Sequence, residues 1–465
     1  MSGAANVPPP SGTLDLCYEG DPDLLPAAEA TRRIQAHVPV INDTQTVPLT
    51  EALARVLAHD VTSPLDVPGH TNSAVDGFAL HGQALPSSGE CTLQVIGRSF
   101  AGNPYPHSVA TGQCVRIMTG AVMPAGTDTV VMLEHALSER KNERENDSKN
   151  KRKNEGKNEN KSEGKSDTAA AQTSVRIASG HRTGQNVRHA GEDLKAGQIM
   201  LRRGTRLMPA ALGMLASVGI AEVAVTRALR VAFFSTGDEL RSLGETLSRG
   251  QVYDSNRYTL RGMLMRLGVE FIDMGVVRDD PDLLRNALDE ACRQADVVIS
   301  SGGVSTGDAD YVKELLQERG QVGFWRVAVR PGRPLAFGLL CNDTNTRNTV
   351  FFGLPGNPVA VMVTFYQFVQ PALLAMMGSQ APPPIPLLEA RCPDALRKKP
   401  GRIEYYRAIL SRDTDGLLQV RPTGSTGSGL LHTMNDANCL IVLAEQQHDV
   451  PANSVVPVQP FFAMV

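Results

Sequence analysis

Apolar positions recur in two rhythms along this chain, and the change of rhythm divides it. From residue 229 onward, apolar runs at 230–234, 270–277, 296–300, 323–329 and 350–352 read as strands, and amphipathic stretches at 257–267, 281–294, 310–319 and 358–377 read as helices. Asp279 or Asp280 is available to cap the helix that Pro281 opens. Strands alternating with helices predict a mostly parallel, doubly wound α/β sheet, the largest part of an α/β multidomain fold. Upstream, between 61 and 137, short β-type runs at 92–96, 114–118 and 128–133 are separated by Gly and Pro turns and predict a small β domain.

The stretch 27–59 reads as a helix, an extended piece and a second amphipathic helix over 51–58. The extended run 174–177, the turn-rich 179–197 and a helix at 209–218 with a strand after it are assigned to that same elongated mixed domain as its second half. The span 207–225 is apolar, but Pro209, Ser217, Gly219 and Glu222 interrupt it, so a buried helix and a strand fit better than a membrane crossing. A Pro-rich hinge at 381–386 leads into a last β-rich domain. The expected organisation is a flexible segment 1–26, an elongated mixed domain 27–60 plus 169–228, a small β domain 61–137, a charged insertion 138–168, an α/β domain 229–378 and a C-terminal β domain 387–465.

The insertion 138–168 carries 10 Lys/Arg, 8 Asp/Glu and 6 Asn with no aliphatic or aromatic side chain, so it cannot bury apolar surface against the cost of ordering and is expected to be disordered. Its charges are interleaved rather than blocked, which argues against a nucleic-acid arm. The whole chain has 46 Lys/Arg against 49 Asp/Glu in 465 residues, which supplies no basic field for nucleic acid. Seven scattered cysteines without a C-x-x-C pair indicate neither a disulfide framework nor a zinc site and suit a reducing cytoplasm. The first ten residues lack the basic start and apolar core of a secretory signal.

In an open α/β sheet, ligands bind at the carboxyl ends of the strands. Here those ends run into Ser235-Thr236-Gly237-Asp238-Glu239, Ser301-Gly302-Gly303-Val304-Ser305-Thr306-Gly307-Asp308 and Gly353-Leu354-Pro355-Gly356-Asn357-Pro358, while Tyr253-Asp254-Ser255-Asn256 opens a helix. Glycines let backbone N–H groups approach a phosphate, and hydroxyls add donors. Carboxylates beside a phosphate require a hard cation such as Mg²⁺ between them. The turn Arg330-Pro331-Gly332-Arg333-Pro334 holds two guanidiniums suited to clamping an oxyanion. Each loop taken singly also reads as a tight turn and helix cap. Neither a G-x-G-x-x-G nor a P-loop motif is present.

Seven motifs together carry a family resemblance. Ser73-Ala74-Val75-Asp76-Gly77-Phe78-Ala79, Arg116-Ile117-Met118-Thr119-Gly120-Ala121, Gly191-Glu192-Asp193, Ser235-Thr236-Gly237-Asp238-Glu239-Leu240, Tyr253-Asp254-Ser255-Asn256-Arg257, Ser300-Ser301-Gly302-Gly303-Val304-Ser305 and Leu354-Pro355-Gly356-Asn357-Pro358 closely resemble, in order, the molybdopterin molybdenumtransferase family, which includes the catalytic domain of gephyrin. The resemblance implies a transferase in which adenylyl-molybdopterin and molybdate give molybdenum-molybdopterin and AMP with Mg²⁺. It implies an elongated cytoplasmic homodimer whose active site is shared between the α/β domain of one subunit and the small β domain of the other. The molybdopterin adenylyltransferase and molybdoenzymes are further implied partners.

By motif match Asp76, Glu192, Asp238 and Asp308 are the implied catalytic residues, and Glu192, Asp238, Asp254 and Asp308 the implied Mg²⁺ ligands. Thr119, Ser235, Thr236, Gly237, Ser301, Gly302, Gly303, Ser305, Arg330, Arg333, Pro334, Gly356 and Asn357 are the implied ligand-binding residues. Arg330 and Arg333 stand where the family usually has lysines, and Ala360 where a serine often follows. Charge is retained, but a point cation becomes a planar fork and one hydroxyl is lost. Two other readings fit parts of the chain: a molybdopterin adenylyltransferase, which resembles the α/β domain alone, and a non-catalytic scaffold that kept the fold.

Overall fold

The computed structural model describes residues 24–138, 173–303, 315, 316, 318–340, 348–380, 386–424 and 427–461. Residues 1–23 of the segment expected to be flexible, all of the charged insertion but Ser138, and most of the hinge lie outside them; Leu25, also expected to be flexible, is instead buried and its N–H donates to the Arg326 carbonyl at 2.7 Å. Two compact units form. The larger takes the chain up to His59, Arg202–Ala216 and everything from Ile220 onward; the smaller is Asp60–Leu201 with Ser217–Gly219.

In the larger unit, six strands form one sheet: β1 (Arg230–Thr236), β2 (Glu270–Val277), β3 (Val297–Ser301), β4 (Gly320–Arg326), β5 (Pro334–Leu340) and β6 (Thr349–Leu354), in the spatial order β2-β1-β3-β6-β5-β4. The first four of that order are parallel and the last two join antiparallel. The alternation along each strand decides which side chain faces which layer. Val231, Phe233, Val297, Ile299 and Phe352 enter one core with Leu260 and Leu264 of α1 (Ser255–Leu267) and Val359 and Val363 of α3 (Pro358–Thr364). Ala232, Phe234, Val298 and Phe351 enter the other with Leu284, Leu288 and Ala291 of α2 (Pro281–Gln294). Helices therefore cover both faces, as a doubly wound sheet requires. Phe233, Phe337, Phe351 and Phe352 are essentially fully buried, each contributing about 1.5–3 kcal/mol relative to exposure.

Local signals agree with these elements. Asp280 caps α2 by accepting from the N–H groups of Asp282 and Leu283 at 3.0 Å, and Pro281 occupies the first turn. The expected strand 323–329 is in fact two: β4 ends at Arg326, and Val329–Arg330 joins a different sheet. The strand β5 was not anticipated, because its run follows directly on the Arg/Pro turn and does not alternate. Of the expected helix 310–319, only Leu315, Leu316, Glu318 and Arg319 are described, and they are helical. The apolar helix starting at Pro358 continues to Met376 with a π-turn over Phe365–Val369. It is long and apolar enough to cross a membrane, but it is mostly buried in the protein core.

The C-terminal strands Leu388–Cys392, Ile403–Arg412, Leu418–Pro422, Cys439–Leu443 and Ser454–Pro460 form a barrel, because Ile403–Arg412 pairs with both Leu418–Pro422 and Cys439–Leu443. Val329–Arg330 adds to it in parallel, with Arg330 opposite Glu404. The turn Arg330 to Arg333 is thus fixed at one end by the barrel and at the other by β5.

Two expectations about the mixed domain change. No helix forms over 51–58: Leu49–Glu51 makes a single 3-10 turn, Ala54 adopts φ +63°, and Val56 and Leu57 form isolated bridges. The helix Pro209–Ser217 exists, followed by the strand Glu222–Thr226, but it is not a core helix, since only Leu215 is buried. Thr44–Pro48 pairs antiparallel with Glu222–Thr226.

The smaller unit is built on a six-stranded sheet in the order Thr129–Met132, Gly77–Leu80, Gln113–Ile117, Glu90–Ser99, Thr173–Ala178, Ala136–Ser138. Thr173–Ala178 therefore belongs to the small β domain, not to the mixed domain, because it pairs with Glu90–Ser99 and Ala136–Ser138. This places the two ends of the insertion on neighbouring antiparallel strands, with Ser138 opposite Val175. Deleting residues 139–167 leaves 168–172 to close the hairpin. The expected result is a thermal midpoint within ~4 °C of the intact protein, about 1 kcal/mol by the usual scaling, and a larger drop in differential scanning calorimetry would contradict a solvated insertion.

Candidate functional site

β1 leads through α1 to β2 on one side of itself, and β2 leads through α2 to β3 on the other. β1 therefore sits where the strand order reverses, and in an open α/β sheet a crevice forms there at the carboxyl ends. A cavity of about 670 Å³ lies there. The β1 loop contributes Thr236, Gly237 and Glu239, the β3 loop Gly302 and Gly303, and the turn after β6 Pro355, Gly356 and Asn357. The Arg330 to Pro334 turn, Asp279 and Ala360 line it as well, with Gly427 and Ser428 from the barrel.

Glycines allow this convergence. Gly302 has φ +93°, and a Cβ there would lie 2.3 Å from the Thr236 carbonyl oxygen. Gly332 has φ +101°, and its Cβ would meet Thr364 Oγ1 at 2.4 Å. The Gly302 N–H is already engaged with the Leu354 carbonyl at 3.1 Å, and the Ser428 carbonyl accepts from the Val359 N–H at 3.1 Å. Among the described residues no hydrogen-bond partner takes the N–H groups of Gly356 or Asn357, which leaves them for an anion.

Charge in the cavity is balanced unevenly. Arg330 Nη1 lies 3.5 Å from Glu404 Oε2, and that carboxylate is buried. Arg333 is exposed at the cavity and makes no ion pair among the described residues. Two carboxylates, Glu239 and Asp279, face the same space, and Thr236 Oγ1 donates to Asp279 Oδ1.

Nine of the expected site residues meet here: Thr236, Gly237, Gly302, Gly303, Arg330, Arg333, Pro334, Gly356 and Asn357. Others do not line the cavity. Ser301 is buried, donates its hydroxyl to the Pro355 carbonyl at 3.3 Å and accepts from Asn256, which ties β3 to the turn after β6. Ser235 is fully buried, with no partner for its Oγ among the described residues. Asp254 is 3% exposed and caps α1 through a 3.2 Å bond from the Arg257 N–H to Oδ1, while its Oδ2 is buried without a partner among the described residues. Asp238 is exposed beside the lining residues. Ser305 and Asp308 lie outside the described residues.

The remaining three belong to the smaller unit. Asp76 Oδ1 accepts from both the N–H and the hydroxyl of Thr119 at 2.7 Å, and these bonds hold its carboxyl below its ordinary value, so it is ionised at neutral pH. Glu192 Oε2 accepts from the His189 N–H at 2.9 Å. Among the described residues no three His, Cys, Asp or Glu side chains gather as a metal cage. Sequence reasoning missed Glu239, Asp279, Gly427 and Ser428. Glu239 stands within the Ser235–Leu240 motif, and the glycine- and serine-rich run around Gly427 is a legible loop signal on the last domain.

Comparisons with known proteins agree with this architecture. Residues 25–219 match the family described as MoeA N-terminal region (domain I and II), residues 232–375 the probable molybdopterin binding domain, and residues 389–461 the MoeA C-terminal region (domain IV). A molybdopterin molybdenumtransferase of Haemophilus influenzae is 37% identical over 438 residues, which cover 94% of this chain and 99% of that protein. The chain belongs to the molybdopterin molybdenumtransferase family. Another member, from Nostoc, is 36% identical over 86% of this chain and 85% of its own length. The gephyrin of Dictyostelium discoideum is 30% identical over 93% of this chain and 62% of its own. Among solved structures, the molybdopterin biosynthesis moeA protein of Pyrococcus horikoshii covers 94% of this chain with a TM-score of 0.72 and 26% identity. Family matches on both sides of the α/β domain set aside an adenylyltransferase that resembles that domain alone.

Proposed function

We propose that this chain is a molybdopterin molybdenumtransferase that inserts molybdenum from molybdate into adenylyl-molybdopterin and releases AMP. The observation that carries this reading is the switch-point cavity, which sets two guanidiniums, a helix-opening turn with N–H groups unclaimed among the described residues, and two carboxylates around one space. Molybdate is a tetrahedral dianion and suits the paired Arg330 and Arg333. The Gly356 and Asn357 N–H groups and the dipole of α3 suit a substrate phosphate. AMP release breaks the phosphoanhydride: an oxygen from water or molybdate bonds to one phosphorus, and the bridging oxygen leaves with the other phosphate.

Mg²⁺ fits this donor set in one way. It keeps most of its waters and binds through one or two carboxylates together with substrate phosphate, which the pair Glu239 and Asp279 can supply without a complete protein cage. When bound, it would neutralise charge developing on the phosphate oxygens. Asp238 from the same loop, and Asp308 by motif, are the further carboxylates of this reading.

The assembly in this reading is a cytoplasmic homodimer in which Asp76 and Thr119 act on the α/β site of the partner subunit. The helix Pro209–Ser217 supports association, since it carries no charged side chain and buries only Leu215, with Met208 49% exposed before it. Five of the cysteines are described, and no disulfide joins any of them, which is consistent with a reducing compartment.

Mg²⁺ dependence tests the carboxylate assignment. Asp238→Ala, an exposed change that should leave the fold intact, is expected to slow AMP release several-fold at limiting Mg²⁺ and less at saturating Mg²⁺. Equal rates for variant and wild type at both concentrations would return this loop to the role of a turn.

A further inference from the structure

Asn256 is the second residue of α1 and is 8% exposed. Its Nδ2 donates to Ser301 Oγ at the end of β3 and to the Gly356 carbonyl in the turn after β6, both at 2.8 Å. Ser301 Oγ in turn donates to the Pro355 carbonyl at 3.3 Å. The orientation of the amide is fixed, because a carbonyl and its neighbouring acceptor demand the N–H end. Its Oδ1 is buried without a partner among the described residues. One amide therefore joins the helix that follows β1 to two loops that line the cavity.

We infer that Asn256 is a positioning residue that locks the β3 loop and the turn after β6 into the spacing the anion requires. This inference rests on the proposed function only for the identity of the ligand. Asn256 does not line the cavity; it acts through Ser301 and Gly356. The Gly302 N–H, bonded to the Leu354 carbonyl, reports the same junction from the backbone. A core amide whose role was only to fill space would not couple these two loops.

Two variants separate the possibilities. Asn256→Asp keeps the shape but turns the donor toward Gly356 into an acceptor, whereas Asn256→Ala removes both bonds and guards against a folding defect peculiar to the charge. Amide hydrogen exchange of peptides covering 301–303 and 354–357, compared with a remote core peptide such as 439–443, reads the junction without any ligand. AMP binding by calorimetry reads the ligand. The inference expects faster exchange in both loop peptides and not in the remote one, with AMP affinity reduced roughly tenfold, as for one to two lost hydrogen bonds. It also expects Asn256→Asp to regain part of that affinity as the pH is lowered and the new carboxyl becomes a donor, with no matching trend in Asn256→Ala. Unchanged exchange in the loops, or faster exchange with unchanged AMP affinity, overturns it. If wild type binds no AMP, the proposed function has failed instead, and the exchange arm still decides whether Asn256 ties the loops.

Discussion

Arg333→Ala is expected to raise the molybdate concentration for half-maximal product formation by roughly tenfold or more, the equivalent of one charge-assisted contact of about 1.5–3 kcal/mol. Arg333 is the cation of the pair without a protein counter-charge among the described residues, whereas Arg330 shares its charge with the buried Glu404. The incoming dianion should therefore depend on Arg333 more than on its neighbour. Arg333→Lys separates charge from shape. Recovery of most of the loss means that a point cation suffices, and little recovery means that two parallel N–H bonds matter. Half-saturation that does not move in Arg333→Ala at fixed ionic strength would relocate the oxyanion to the Gly356 and Asn357 turn.

A second large effect is expected from a methyl group. In Gly302→Ala, the added Cβ meets the Thr236 carbonyl oxygen at 2.3 Å while the backbone sits at φ +93°, so steric and conformational penalties coincide. The loop must move away from β1, and Thr236 carries the hydroxyl that holds Asp279. A loss of roughly thirtyfold or more in kcat/KM for AMP release corresponds to the ~2 kcal/mol such a displacement costs. Gly262→Ala is the control. It sits in α1 with nothing within 4 Å of its Cβ, so the change should be neutral or stabilise by up to about 1 kcal/mol. Equal kinetics for Gly302→Ala and Gly262→Ala would show that the close approach at the switch point is dispensable.

What the sequence made legible was whatever short-range chemistry determines. The helices at Ser255, Pro281 and Pro358 follow from Asp caps, first-turn prolines and apolar spacing, and all three form. The Gly/Ser loops could be placed at strand ends because the rule for open α/β sheets depends on topology alone. Long-range pairing was not legible. Nothing local to Thr173–Ala178 shows that it joins Glu90–Ser99 across the insertion, and nothing local to Val329–Arg330 shows that it pairs with Ile403–Glu404 in the barrel. The misread helix at 51–58 has a helical apolar spacing, but tertiary bridges to Arg206 and Val225 prevail over it.

The same division holds inside the site. Motif spacing marked Ser301 and Asp254 as polar residues at strand and helix ends, but could not say which way they point. In the fold both turn inward, one to tie the β6 turn and one to cap α1. Asp279 reads in sequence as one of two equivalent caps for α2. The structure divides them: Asp280 takes the cap, and Asp279 turns to the cavity.

If the switch-point cavity couples molybdate to the release of AMP, AMP formation must depend on molybdate. Purified protein is mixed with adenylyl-molybdopterin and Mg²⁺, and AMP is quantified by chromatography with and without molybdate. The expected result is AMP in proportion to the substrate consumed when molybdate is present, with matching formation of molybdenum-molybdopterin. No AMP under any condition, or AMP release at the same rate and without molybdenum insertion whether or not molybdate is present, would contradict it.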